Sequence, residues 1–300
     1  MIKPALQDDA FLNDIESATS DPSNLYLWWL GQSGFLIQFH HDRFLVDPYL
    51  SDTLTKKYAN TDKPHVRMSE LVVDPARLKG ISVITVSHGH TDHLDADTLQ
   101  AIRNSDLKED EPCCPLLVAP IAIAKLAEER WGTDVDRRLD EYDVVSWGND
   151  VRITAIASAH ETVERNERGR CLYLGYVFHF GRFTIYHSGD TVLYDGLAER
   201  LKPFNIDVAL LPINGCSPER RVAGNLSGKE SAQLAKAIGA KLVIPCHYDM
   251  FEFNTADPAD EFIPECQRLG QPYRILKLGE RWSSTELENS GPPLPLRERG

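Results

Sequence analysis

Residues 81–87, "ISVITVS", carry no charge, and the chain turns abruptly to "HGHTDH" at their end. A continuous apolar run of that length reads as a strand buried on both faces. Such strands belong to sheets with parallel neighbours, covered by helices. The next stretch, "DADTLQAIRNS" (95–105), has helical spacing, with Asp95 at the N-cap position. The polar burst therefore occupies a strand-to-helix turn, and a chain built on such units is an α/β protein.

The rest of the chain repeats this logic. An N-terminal helix is expected over 5–18, and three strands follow: "LYLWWLG" (25–31), "GFLIQF" (34–39) and "RFLVDP" (43–48). Residues 49–80 read as a long loop with one helical turn. Further strands are expected at 115–120, 151–160, 171–180, 182–190, 207–213, 241–247 and 273–280, with helices at 121–132, 227–240 and 257–270. The order suits two sheets packed face to face with helices outside. The expected organisation is a helical extension (1–24), a single domain (25–282) and a mobile Pro- and charge-rich tail (283–300).

Composition narrows the classes. With 32 Lys and Arg against 45 Asp and Glu, the net charge is −13. That surface disfavours polymeric nucleic acid and anionic membranes. No run approaches a membrane span or a signal-peptide core. The six cysteines form no CxxC pair, which suits free thiols in a cytoplasmic protein.

Chemistry-bearing residues gather at strand ends. His88, His90, Asp92 and His93 follow one strand, His160 another, Asp190 a third and His247 a fourth. Imidazole and carboxylate are ligands for Zn²⁺, Mn²⁺ or Fe²⁺. Seven such groups exceed the needs of one tetrahedral ion and suit two ions with open positions. A lone histidine at a strand end is more often structural, but His-x-His-x-Asp-His needs a reason for crowding like groups. His40, His41 and His65 read as solvent-facing loop residues and His179 as a hairpin residue. His187, three before Asp190, reads as a residue of the site.

The motif, together with His160, "HSGDT" at Asp190 and His247, resembles the metallo-β-lactamase superfamily over about residues 25–280. The resemblance implies a four-layer αββα sandwich with a two-metal site at one edge. It implies His88, His90 and His160 around one ion, Asp92, His93 and His247 around the other, and Asp190 bridging. Asp47, in "LVDP", matches a residue that buttresses the site. Enzymes of this fold that open β-lactams carry Cys where this chain has Asp190, and its diiron oxidoreductases carry Glu where it has His90. Both chemistries are therefore disfavoured. "LWWLG", "YHSGD", "IDVAL" and "LVIPCHYDMFEFNTADP" are similar to the L-ascorbate-6-phosphate lactonase family, which implies a cytoplasmic, oligomerising enzyme that uses Mn²⁺ or Zn²⁺, Fe²⁺ being the weaker fit.

The function expected is a hydrolase that uses a water activated between two metal ions to open a lactone, with Asp92 and His187 as catalytic residues. The substrate class is a small anion, such as a phosphorylated sugar-acid lactone. Arg170, Arg220, Arg221 and Asn225, in two polar loops, are expected to hold its anionic end. The alternatives are a phosphodiesterase acting on a small nucleotide or a phospholipid headgroup and, from another class, a non-catalytic metal-binding subunit. The intact ligand positions speak against the last.

Overall fold

A computed structural model describes residues 1–106, 114–220 and 224–289 of the chain. Helix α1 (Asp8–Ala18) comes first and buries Phe11 and Ile15 in the main core. Strands β1 (Leu25–Gly31), β2 (Gly34–Phe39) and β3 (Asp42–Val46) follow as antiparallel neighbours. A long excursion carries the short helix α2 (Thr53–Tyr58). Strand β4 (Ile81–Thr85), helix α3 (Ala96–Asp106), strand β5 (Leu116–Pro120), helix α4 (Ala124–Trp131) and strand β6 (Arg137–Leu139) complete the first half.

The second half runs β7 (Val144–Trp147), β8 (Val151–Ala157), β9 (Leu174–Phe180), β10 (Phe183–His187), α5 (Leu197–Leu201), β11 (Val208–Pro212), α6 (Gly228–Ile238) and β12 (Leu242–Cys246). Helix α7 (Phe262–Leu269), strand β13 (Arg281–Ser283) and helix α8 (Thr285–Asn289) close the described chain. One sheet has the order β13-β1-β2-β3-β4-β5-β6 and the other β12-β11-β10-β9-β8-β7.

The sheets pack through aromatic side chains. The Phe44 ring of β3 meets Phe180 of β9 edge-on, with centroids 5.0 Å apart, and Phe39 lies 5.7 Å from the same ring. Helices α3 and α4 pack together beside β5, and α6 covers β11 and β12. This is the αββα sandwich expected. Helix α6 begins at a capping box in which Ser227 and Glu230 satisfy each other's backbone N–H groups.

Strand direction positions the site. β3, β4 and β5 are parallel, and β1 points the same way because two antiparallel pairings separate it from β3. In the other sheet β10, β11 and β12 are parallel, and β8 matches them through β9. The residues just beyond β1, β3, β4, β8, β10 and β12 thus meet along one edge of the sandwich.

Three expectations are corrected. Residues 273–280 form no strand: Tyr273 makes one isolated bridge to Val243, and the closing strand is β13. The short strands β6 and β7 were not anticipated. The expected mobile tail is ordered at its start, where Ser284 is buried and its Oγ accepts from Leu25 N at 3.0 Å. Residues 290–300 lie outside the described residues. No helix among the described residues is long and apolar enough to cross a membrane.

Candidate metal centre

The turn after β4 delivers its ligands because Asp47, just past β3, ties it down. Asp47 Oδ1 accepts from Ser87 N at 2.7 Å, and its Oδ2 accepts from Ser87 Oγ at 2.5 Å. Arg130 of α4 holds the far side, with Nη1 donating to the carbonyls of Gly89 (2.9 Å) and Leu94 (2.8 Å). Three site residues hold left-handed backbone without being glycine: Gln32 (φ 52), Asp47 (φ 43) and His247 (φ 65). Such strain clusters where the surrounding structure over-determines a functional geometry.

All seven expected ligands come together. Three groups have their ligand atoms within 4.8 Å of one another: His88, His90 and His160; His88, His93 and Asp190; and Asp92, His93 and His247. Asp190 Oδ2 lies among them, 3.3 Å from His93 Nε2, 3.5 Å from His247 Nε2 and 3.6 Å from His160 Nε2. Asp92 Oδ2 stands 3.8 Å from the Nε2 atoms of His93 and His247.

Hydrogen bonds at the outer nitrogens set the tautomers. His93 Nδ1 donates to Asp47 Oδ2 at 2.7 Å, and His160 Nδ1 donates to the Gly224 carbonyl at 2.7 Å. The Ser87 hydroxyl gives its proton to Asp47, so it accepts from His88 Nδ1 at 3.0 Å. Each ring then turns an Nε2 lone pair inward, the arrangement typical of metal-ligating histidines. The Nε2 atoms of His88 and His93 are buried without a hydrogen-bond partner. Buried polar atoms are normally satisfied, so this pair fits a cation among them.

The electrostatics agree. Burial, reinforced by His93, pushes His88 well below the usual imidazole pKa, and burial lowers His90 also. Both are thus neutral near pH 7, the form that ligates. Burial works to raise Asp190, but His93 and His247 beside it hold the carboxyl well below the usual range. Burial also opposes a charge on His93, yet Asp190, Asp92 and Asp47 raise it well above the ordinary value.

The cluster floors a pocket of about 340 Å³. Gln32 and Asn225 line it beside the ligands. Gln32 Nε2 donates to Asp92 Oδ2 at 2.9 Å and lies 3.2 Å from His247 Nε2. Asn225, an expected substrate residue, is 2 % exposed, and its Oδ1 has no partner. Leu54, Tyr58, His65 and Phe251 form one wall, and Lys57 and Arg130 also line the pocket.

Other expectations are corrected. His187 is fully buried and turned to the backbone: Nε2 donates to the Ser33 carbonyl at 2.8 Å, and Nδ1 accepts from Gly189 N at 3.2 Å. It positions the turn that carries Asp190 and does not line the pocket. Arg170 pairs with Asp140 at 3.1 Å, and Arg220 donates to the carbonyls of Asn214 and Thr255. Neither lines the pocket. Arg221 lies outside the described residues. His65 is not a solvent-facing residue but a half-buried part of the pocket wall. Gln32 and His65 carried no spacing signal. Their roles depend on contacts with residues 60 or more positions away in the chain.

Residues 42–248 match the family model described as "Beta-lactamase superfamily domain". A UPF0173 metal-dependent hydrolase of Opitutus terrae is 28% identical over 258 residues, covering 85% of this chain and 97% of that protein. Another, from Anoxybacillus flavithermus, is 29% identical over 67% of this chain and 80% of its own length. A Shigella dysenteriae protein named "Probable L-ascorbate-6-phosphate lactonase UlaG" is 23% identical, covering 84% of this chain and 77% of its own. Among solved structures, an isothiocyanate hydrolase from Delia radicum gut bacteria superposes with a TM-score of 0.68 at 20% identity, covering 86% of this chain and 98% of that one. The fold, the His/Asp cluster and the family match converge: the chain belongs to the metallo-β-lactamase superfamily and is a metal-dependent hydrolase.

Proposed function

We propose that this hydrolase opens lactones of small anionic acids, a phosphorylated sugar-acid lactone among them, with two divalent ions held in the cluster. His88, His90 and His160 would hold one ion, Asp92, His93 and His247 the other, with Asp190 between. Zn²⁺ and Mn²⁺ suit this imidazole and carboxylate set best. Such ions supply Lewis-acid chemistry, polarising a carbonyl oxygen and lowering the pKa of water toward neutrality.

The chain's own residues do the rest. Asp47, Ser87 and the Gly224 carbonyl hold the histidine rings in their ligating tautomers. Gln32 fixes Asp92 through Oδ2, leaving Oδ1 to take a proton from the attacking water and pass it to the alkoxide released on ring opening. Asn225 lines the pocket beside the ligands, where its amide is placed to meet a polar group of the substrate. Lys57 and Arg130, rather than the two polar loops, bring positive charge to the pocket for an anionic substituent.

The observation that carries this reading is the single Asp190 oxygen within 3.3–3.6 Å of three inward-facing Nε2 atoms. The name of the lactonase-like relative supports the lactone as the bond attacked. The test is a rate comparison on protein reconstituted with Mn²⁺ and, separately, Zn²⁺. Sugar-acid lactones, with and without phosphate, run against a chromogenic phosphodiester. Asp190→Ala is expected to abolish lactone opening. A dominant phosphodiester rate, or lactone opening untouched by Asp190→Ala, would overturn the assignment.

A further inference from the structure

The aromatic wall of the pocket is built from three distant parts of the chain. Leu54 and Tyr58 come from α2, His65 from the excursion after it, and Phe251 from the loop beyond β12. Backbone pairing joins the last two. Arg67 bridges Phe251, Met68 N donates to the Met250 carbonyl at 2.8 Å, and Glu252 N donates to the Val66 carbonyl at 3.3 Å. Thr55 Oγ1 donates to the His65 carbonyl at 2.8 Å and ties α2 to the same unit.

The rings are locked against one another. Tyr58 and His65 stack with centroids 4.1 Å apart and planes 21° from parallel. Phe251 meets His65 edge-on at 5.3 Å, and Phe253 does so at 4.6 Å. Behind them Tyr49, Leu54, Met250 and Phe251 form a separate buried cluster. The Tyr49 hydroxyl accepts from Leu54 N at 3.0 Å, and the Arg67 guanidinium lies 5.4 Å from the Tyr49 ring centroid. Burial lowers the pKa of His65, so its ring is uncharged near pH 7. This is a face of packed, uncharged rings, with Lys57 Nζ 5.2 Å from the Tyr58 ring centroid, and it has no part in holding the metal cluster.

The rest of the pocket differs in kind. Its floor is carboxylate and imidazole, and two cationic side chains, Lys57 and Arg130, line it as well. At about 340 Å³ it is near the small end of the ~300–1,000 Å³ usual for ligand sites. Such a space takes one compact molecule, with its reacting ester at the floor and one flat face toward Tyr58 and His65. Offset and edge-on ring contacts are favoured by the aromatic quadrupole.

We infer that the wall of Leu54, Tyr58, His65 and Phe251 is the specificity element of this hydrolase, selecting acyl substrates that carry a planar unsaturated or aromatic ring, with Lys57 receiving their negative charge. The inference rests on the reading above that substrate sits in the pocket over the His/Asp cluster. It goes further in naming what is recognised beyond the bond that breaks.

A binding experiment separates the two. Metal-loaded protein is titrated calorimetrically with 3-(2-hydroxyphenyl)propanoate, the ring-opened form of an aryl lactone, and with 5-hydroxypentanoate, its aliphatic counterpart. The aryl acid is expected to bind more tightly. Tyr58→Ala and Phe251→Leu are expected to weaken it about 3- to 10-fold while the aliphatic acid is unchanged, the size expected of one lost ring contact. The unchanged aliphatic binding reports that each variant is folded, and Phe251→Leu keeps bulk in the buried cluster. Equal affinities for the two acids in the parent protein, or parallel losses in the ring variants, would overturn the inference. Selective aryl binding by a protein that opens no lactone would uphold the wall and remove the lactone assignment alone.

Discussion

Asp47 accepts hydrogen bonds from Ser87 N, Ser87 Oγ and His93 Nδ1 while fully buried. Two of those donors share one oxygen, so an amide nitrogen at that place would face N–H and O–H groups with no acceptor to offer. Asp47→Asn is therefore expected to release the His93 tautomer and weaken metal binding about 10- to 100-fold. Competition with a chromophoric chelator would measure this, and an unchanged affinity would show that Asp47 does not orient the ligand. At this scale the sequence was read in part. The His-x-His-x-Asp-His cluster announced itself because no other purpose explains such crowding. Asp47 was legible through the family pattern. His187 misled, since its place near Asp190 says nothing of where its ring points. Its ring is turned away from the pocket to the Ser33 carbonyl.

Between strands and turns, the sharpest constraint lies at Gly189, next to Asp190. Its φ is 59, and a Cβ there would stand 2.6 Å from Ser87 Cβ and 3.2 Å from the Leu174 carbonyl oxygen. Ser87 is the residue through which Asp47 and His88 are linked. Gly189→Ala is thus expected to cost about 1–3 kcal/mol of stability through backbone strain. It should also lower bound metal, because Ser87 must move. Thermal melts of metal-free and metal-loaded protein separate these: a variant with parent-like melting and full metal content would refute the close approach. Long apolar strands such as β1 and β12 were legible because both faces are buried. Strand β6, "RRL", was not, since only one of its three residues is buried and its pairing with β5 is a tertiary matter. Residues 273–280 have a strand's composition but run beside the edge strand β12 only at their start. Tyr273 finds only Val243.

For the molecule as a whole, the metal cluster joins the two sheets: Asp47, His88 and His93 stand at strand ends of one, His160, Asp190 and His247 at strand ends of the other. A cation bound there stabilises only the folded chain, by about 2.7 kcal/mol at a free concentration of roughly 100 times Kd. Removing metal with a chelator is expected to lower the melting temperature of the parent protein and to leave Asp190→Ala nearly unmoved. Scanning calorimetry of both would decide it, and equal shifts in the two would mean that the stabilising ion lies elsewhere. The sequence by itself determined the α/β class, the strand-end position of the ligands and their chemistry, because burial and helix periodicity are local properties of neighbouring residues. Only the tertiary structure decided which polar groups face the pocket. Arg170 and Arg220 turned to partners within the protein, while Gln32, Lys57, His65 and Arg130 came to the pocket from separate segments. Spacing along a chain carries no record of that, since those contacts form only when the edges of two sheets and the excursion between them are packed into one place.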